Sequence, residues 1–408
     1  MITGFEHYKE KWQVNSENAI KPGLDAMKQA LALLNHPEQD TACIHVAGTN
    51  GKGSTIAFLE SILREHGKTV GKFTSPCILD VHDQIQINGE KITPKEMDTL
   101  FQEMKESGLD GKCTDFELLT CAAFLYFKKQ KVDIALIEAG MGGRLDSTNV
   151  ILPLVSVIPS ISLEHTNFLG NTLSEIAAHK AGIVKQGIPM VVGKLPEEAL
   201  NIVKQEAVNK NAPLYILGEE FTMENDGFTS PELQVTSLER KLPGVHQGEN
   251  MALAIKAFLL TGNSGETELI KRGVANATLA GRFEEVLPNV YFDGAHNPAS
   301  VEKLVATIRE QFPRKNIEFV IGMLADKDVE TALRLLETVS TTFTFVSFDN
   351  ERAMKAKDLI KKSHAVDRRI IHDPIKYLLE PVDEHSIKFV TGSLYLLAAL
   401  RAQLLREK

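Results

Sequence analysis

The sequence predicts an α/β chain of two domains, each built on a doubly wound sheet, and three observations lead there. Short apolar runs rich in Val and Ile alternate with longer segments of helical period, the pattern of a parallel sheet with crossover helices. A glycine loop, "GTNGKGS" at 48–54, stands between an apolar run and a helical segment. The alternation breaks off ahead of residue 284 and then restarts, in a chain of 408 residues that exceeds what one core usually serves.

Taken in order, "ACIHVAG" is the strand entering the glycine loop, and Ser54 to Glu65 is the helix leaving it. The strand "TVGKFTS" follows, then a helix over "DFELLTCAAFLYFKKQ", the strands "VDIALIEAG" and "LVSVIPSI", and a helix around "TLSEIAAHKAGIVK". Between about 214 and 246, short alternating segments punctuated by Gly, Pro, Asn and Asp predict small antiparallel strands beside the main sheet. Two helical stretches come next. "NATLAGRFEEVLPN" lacks clear periodicity and carries the domain junction, giving domains at 1–279 and 284–408. The second domain runs strand "NVYFDGAHN", helix "PASVEKLVATIREQ", strand "IEFVIGM", helix "VETALRLLETV", strand "TFTFVSF", and "IKFVTGS" with a closing helix.

Composition narrows the function. Apolar residues make up 43% and charged ones 24%, ordinary for a globular chain. The net charge of −9 (45 basic against 54 acidic residues) is spread without a basic block, which speaks against nucleic acid or a membrane surface as partner. The amino terminus, "MITGFEHYKEKW", has no apolar leader. Cys43, Cys77, Cys113 and Cys121 show no C-x-x-C spacing and are expected to be reduced thiols of a cytoplasmic protein.

The glycine loop has the context of a phosphate site. Glycines let backbone N–H groups converge on phosphate oxygens, the helix start adds positive potential, and Lys52 neutralises charge. Two features depart from the usual phosphate loop: Gly48 and Gly51 are three apart, and Gly53, not Ser or Thr, follows Lys52. A metal on the nucleotide then needs another hydroxyl, from Ser54 or from Ser75 at the end of the next strand. Glu138 ends an apolar strand, where an ionised carboxylate is costly unless paired or on a metal. Glu164 and His165 follow a third strand end in the same crevice.

Together these segments resemble one family, the folylpolyglutamate and dihydrofolate synthases of the Mur ligase superfamily. The resemblance is carried along nearly the whole chain by "HVAGTNGKGS", "FTSP", "IEAGMGGRLDSTN", "EHTNFLGNTLSEIAAHKAGIVK", "LPGVHQGEN", "GRFE", "DGAHNP", "GMLADKD" and "TGSLYL". It implies a Mur-ligase-like central domain with a small antiparallel β element, followed by a smaller Rossmann-like domain. Gly48, Thr49, Asn50, Gly51, Lys52, Gly53 and Ser54 would bind ATP. Ser75 would give its hydroxyl to a first Mg²⁺, Glu138 would ligate metal, and His165 would hold a second Mg²⁺. Lys180 would be carried as a carbamate made with carbon dioxide. Asn250, Arg282, Asp293 and His296 would contact ATP in an interdomain cleft, and Pro76, Asp146 and Thr148 would bind the substrate.

The implied activity is ATP-dependent addition of L-glutamate to folates, and to dihydropteroate, through an acyl phosphate, by a monomer acting on small molecules. Lys52, Glu138, His165 and Lys180 are the implied catalytic set. Cys77, His82-Asp83-Gln84, Glu164 and Ala280 depart from the family's common residues. A Mur-type UDP-muramoyl ligase is the rival enzyme, but the glycine loop begins only 47 residues in. A non-catalytic nucleotide module would have no use for Glu138, His165 and Lys180 together.

Overall fold

The computed structural model describes residues 4–17, 19, 21, 23–77 and 79–407. The chain divides into two compact units, the first Met1–Lys241 with Gln247–Ala277, the second Leu242–His246 with Thr278–Lys408. The break at 277/278 stands beside the junction expected from sequence, whereas the assignment of 242–246 to the second unit is new.

The first unit is organised by an eight-stranded sheet. Its strands are β1 (Cys43–Val46), β2 (Val70–Phe73), β3 (Ile85–Ile87), β4 (Glu90–Lys91), β5 (Ile134–Glu138), β6 (Val155–Ile158), β7 (Met190–Val192) and β8 (Leu214–Ile216), in the order β8-β7-β6-β1-β5-β2-β3-β4. From β8 to β2 all pairs are parallel, and β3 and β4 add an antiparallel edge. Strands β1, β5 and β6 are buried at every position, as expected of parallel strands covered on both faces. The covering helices include α1 (Lys52–Glu65), α2 (Asp115–Gln130) and α3 (Leu173–Ala181). Helix α2 buries twelve of its sixteen residues, so its apolar character runs round the helix and shows little period. Thr93, Thr114 and Thr172 each start a helix with a capping box to the Glu three residues on.

The expected antiparallel element begins later than the composition suggested. Leu214–Ile216 is a parallel strand of the main sheet, while β9 (Thr222–Glu224), β10 (Gly227–Thr229) and β11 (Gln234–Val235) form the separate antiparallel sheet. Helices α4 (Val245–Leu260) and α5 (Thr267–Asn276) follow.

The second unit carries a six-stranded sheet of β12 (Glu284–Leu287), β13 (Val290–Phe292), β14 (Asn316–Ile321), β15 (Thr342–Phe345), β16 (Asp367–Ile370) and β17 (Ser386–Thr391), ordered β12-β13-β17-β14-β15-β16. All pairs are parallel except β12 with β13. The two edge strands, β12 and β16, are additions to the sequence-based reading. No helix among the described residues is long and apolar enough to cross a membrane, and no disulfide joins the four buried cysteines.

Candidate active site

In the first sheet β1 has β6 on one side and β5 on the other, so connections diverge at its carboxyl end. Ligands of open α/β sheets bind at such a switch point. Four chemistry-bearing segments emerge at the carboxyl ends of these parallel strands: the glycine loop after β1, Ser75 after β2, Glu138 at the end of β5, and 160–165 after β6.

The glycine loop is tied to the segment after β6. Thr49 N–H donates to Ser160 O at 2.9 Å, and Thr49 Oγ1 donates to Ser162 O at 3.1 Å while accepting from Ser162 N–H at 3.0 Å. Asn50 N–H donates to Ser160 Oγ at 3.0 Å, and that hydroxyl donates back to Asn50 O at 2.9 Å. Ser160 and Ser162 were not singled out from sequence; their only signal is the polar Ser-x-Ser directly after a buried strand.

Gly51 begins α1 at φ +88°, and a Cβ there would sit 2.5 Å from Asn250 Oδ1, so neither the conformation nor the space admits a side chain. Helix α1 has no side-chain cap, unlike the three threonine-capped helices, so its first N–H groups face the loop. The resulting donors and positive potential suit a phosphate. Lys52 Nζ donates to Gly48 O at 3.1 Å and Thr49 O at 3.3 Å, and lies 3.8 Å from Glu138 Oε1. Gly53 follows it in the first turn of α1. The loop lysine and the strand-end carboxylate therefore share one locus, and Glu138 is only 5% exposed.

Lys180, on α3, is 2% exposed. Burial, with Lys52 adding repulsion, pushes its ammonium down to about 7, against the pull of Glu164 and Asp146. Asp146 is itself buried, which raises its pKa, but it accepts Met141 N–H at 2.8 Å, Thr148 N–H at 3.1 Å and Thr148 Oγ1–H at 2.5 Å. Thr148 is fully buried. Its hydroxyl stands between Asp146 and His45 Nε2, the latter 2.9 Å away, so direct substrate contact, expected from the resemblance, is closed to it.

The two candidate hydroxyls differ in access. Ser54 is 3% exposed inside α1, whereas Ser75 is half-buried and Pro76 exposed. His165 is exposed, at φ 53°, and starts the short helix Thr166–Leu169. Among the described residues no three His, Cys, Asp or Glu side chains gather as a protein-only metal cage. Mg²⁺ commonly takes one or two carboxylates and completes its shell with phosphate and water oxygens, so Glu138 with a neighbouring hydroxyl fits that ion.

Three of the residues that depart from the family pattern, His82, Asp83 and Gln84, are engaged within the fold. His82 Nε2 is 2.7 Å from Tyr8 OH and its Nδ1 3.0 Å from Asp80 Oδ1. Asp83 pairs with Lys91, and Gln84 Nε2–H donates to Thr74 O at 3.1 Å.

In the second unit, Arg282, Asp293 and His296 gather where β13 ends. Asp293 accepts Phe283 N–H and Ala295 N–H, both at 2.9 Å; burial raises its pKa while Arg282 and His296 oppose the shift. The Arg282 guanidinium lies against Gly294, where a Cβ would come within 2.3 Å of Nη1. His296 Nδ1–H donates to Gly294 O at 2.9 Å, and Asn297 caps α6 (Pro298–Gln311).

Comparison with known proteins agrees with both units. Residues 46–258 match the Mur ligase middle domain and residues 281–390 the Mur ligase glutamate ligase domain, which defines the class as Mur ligases. Within that class the chain belongs to the family of folylpolyglutamate and dihydrofolate synthases. It is 40% identical to the dihydrofolate synthase/folylpolyglutamate synthase of Bacillus subtilis over 429 aligned positions, covering 99% of this chain and 100% of that one. Among solved structures it is similar to Escherichia coli FolC in complex with DHPP and ADP, with a TM-score of 0.90 and 28% identity over 99% of this chain and 97% of that one. The bifunctional folylpolyglutamate synthase/dihydrofolate synthase of Yersinia pestis, complexed with AMPPNP and a Mn ion, gives a TM-score of 0.89 at 28% identity, covering 98% of each chain.

Proposed function

We propose that this chain, an ATP-dependent ligase of its family, joins L-glutamate to the carboxylate of folates and also of dihydropteroate, acting on small molecules as a monomer. The observation that carries the reading is the meeting of Lys52 with Glu138 at an uncapped helix start on the switch point of the sheet. Relatives named for both activities support the pair of substrates.

A carboxylate is a poor electrophile. It attacks the γ-phosphorus of ATP, ADP leaves, and an acyl phosphate forms; the amine of glutamate then attacks the acyl carbon and phosphate departs, leaving the amide. The protein must position the reactants and neutralise charge on the transferred group. The first N–H groups of α1 and Lys52 cradle the phosphates. Ser75 and Glu138 would hold one Mg²⁺, and His165 with a carbamate on Lys180 would hold another; such ions supply charge neutralisation at the phosphoryl oxygens. Ser75 is favoured over Ser54 because it has surface to offer.

Carbamate formation needs a neutral amine, and the depressed pKa of Lys180 supplies one near neutral pH. Asp146 and Pro76 would bind the acceptor substrate. Asn250 in the first unit, and Arg282, Asp293 and His296 in the second, offer amide, cation, carboxylate and imidazole suited to a nucleotide.

ADP release by the purified protein with Mg²⁺-ATP and glutamate tests the reading. Turnover is expected with both dihydropteroate and tetrahydrofolate. Turnover with tetrahydrofolate alone would remove the dihydropteroate activity, and turnover only with a UDP-muramoyl substrate would overturn the reading.

A further inference from the structure

We infer that His45 and Thr148 are positioning residues for the ligation: a buried hydrogen-bonded row from His45 through Thr148 fixes the Asp146 carboxylate and, through it, the loop that leaves Glu138. The consequence for turnover rests on the ligase reading above; the geometry does not.

The Asp146 carboxylate is met by donors: Met141 N–H on Oδ2, and Thr148 N–H and Oγ1–H on Oδ1. An ionised carboxylate accepts only, so the row is consistent in that state. Thr148 has one hydroxyl hydrogen, and giving it to Asp146 leaves its oxygen as acceptor toward His45. His45 must then donate through Nε2–H, 2.9 Å away. A neutral ring in that tautomer has a bare Nδ1, and His45 Nδ1 is buried with no hydrogen-bond partner. Burial also pushes the ring down to about 3, so it stays neutral.

His45 occupies the middle of β1 between Ile44 and Val46, paired with Ile137 and Ser156, a place where Val or Ile would bury with no orphaned nitrogen. Its position explains its presence. β1 leads directly into the glycine loop, and the far end of the row holds Met141 N–H, three residues beyond Glu138. The row thus ties the strand that feeds the phosphate loop to the segment carrying the strand-end carboxylate, and Asp146 is one of two carboxylates attracting Lys180.

The test uses Thr148→Val, which keeps shape but removes the hydroxyl, and Thr148→Ser, which retains it. His45→Leu and His45→Gln form the parallel pair, Gln placing an N–H near the position of Nε2. With urea unfolding as control, Thr148→Val and His45→Leu are expected to lower kcat about ten- to a hundredfold, the size of one lost bond to a charged group, with ATP affinity unchanged. Ser and Gln should recover most of it. Wild-type kcat in Thr148→Val, or a Ser variant as poor as Val, would overturn the inference.

Should His45→Leu fail to fold, the Thr148 pair decides. ¹⁵N spectra of histidine-labelled protein at pH 7 read the geometry without activity: His45 should be Nε2-protonated, and its signal should move in Thr148→Val. An Nδ1-protonated ring would overturn the row. The expected spectrum in a chain without ligation would support the row and overturn the ligase reading instead.

Discussion

Lys180→Met replaces a buried cation with an unbranched apolar chain of similar length, so the packing around α3 is largely kept. Burial, with repulsion from Lys52, pushes the Lys180 ammonium down to about 7 from an ordinary 10.5. At about 1.4 kcal/mol per unit, burying the charged form costs roughly 5 kcal/mol as an upper bound. Between those two values the unfolded chain binds more protons than the native one, so stability rises with pH. Below about pH 7 the cost is fully present; towards pH 10.5 it disappears.

Lys180→Met should therefore be more stable than wild type by a few kcal/mol near pH 7, with the advantage shrinking by up to about 1.4 kcal/mol per pH unit above it. Urea unfolding of both proteins from pH 6.5 to 10, in buffer free of Mg²⁺ and bicarbonate, measures the difference and cancels groups common to both. The substitution should also abolish ligation. A mutant less stable than wild type at pH 7, or a difference independent of pH, would refute the picture of Lys180 as a desolvated amine poised for carbamate formation.

Other substitutions address separate parts of the site. Gly51→Ala forces a Cβ onto a φ of +88° and within 2.5 Å of Asn250 Oδ1, so ATP affinity should fall more than about tenfold, measurable by calorimetry. Ser75→Ala should raise the Mg²⁺ concentration needed for half-maximal turnover, whereas Ser54→Ala should leave it unchanged. Lys52→Ala should nearly abolish ADP release while the circular dichroism stays that of a folded chain. Asp293→Ala leaves Phe283 N–H and Ala295 N–H without their acceptor, so it should lower stability by about 1 to 3 kcal/mol in denaturant titration and weaken ATP binding.

The strands that matter most for function were the most legible. β1, β5 and β6 are buried on both faces, and their largely apolar runs, interrupted only by His45 in β1 and Ser156 in β6, end in glycine or a polar residue, which marks both the element and its chemical end. The edge strands were illegible for the converse reason. β16 reads "DRRI", three exposed charges and one half-buried Ile, and β12 lies between Phe283 and Asn289, both at positive φ. β8 reads in sequence as part of the antiparallel element because a three-residue strand carries no period that separates parallel from antiparallel pairing. Glu138 and Lys52 stood out because charge sits beside apolar strand or glycine. The burial of Thr148 and Lys180 comes from residues far away in sequence, so local pattern gives no sign of it; only family resemblance singled out Lys180. His45 had a signal, one imidazole inside an apolar strand, but its partner Thr148 lies 103 residues away.

The central claim is that the glycine-loop site activates a carboxylate by phosphorylation. It is tested most directly by supplying an acceptor substrate with both oxygens of the reacting carboxylate as ¹⁸O and analysing the released phosphate by mass spectrometry. Formation of an acyl phosphate predicts one ¹⁸O in each phosphate released per amide formed. Phosphate free of the label during amide synthesis would contradict the account.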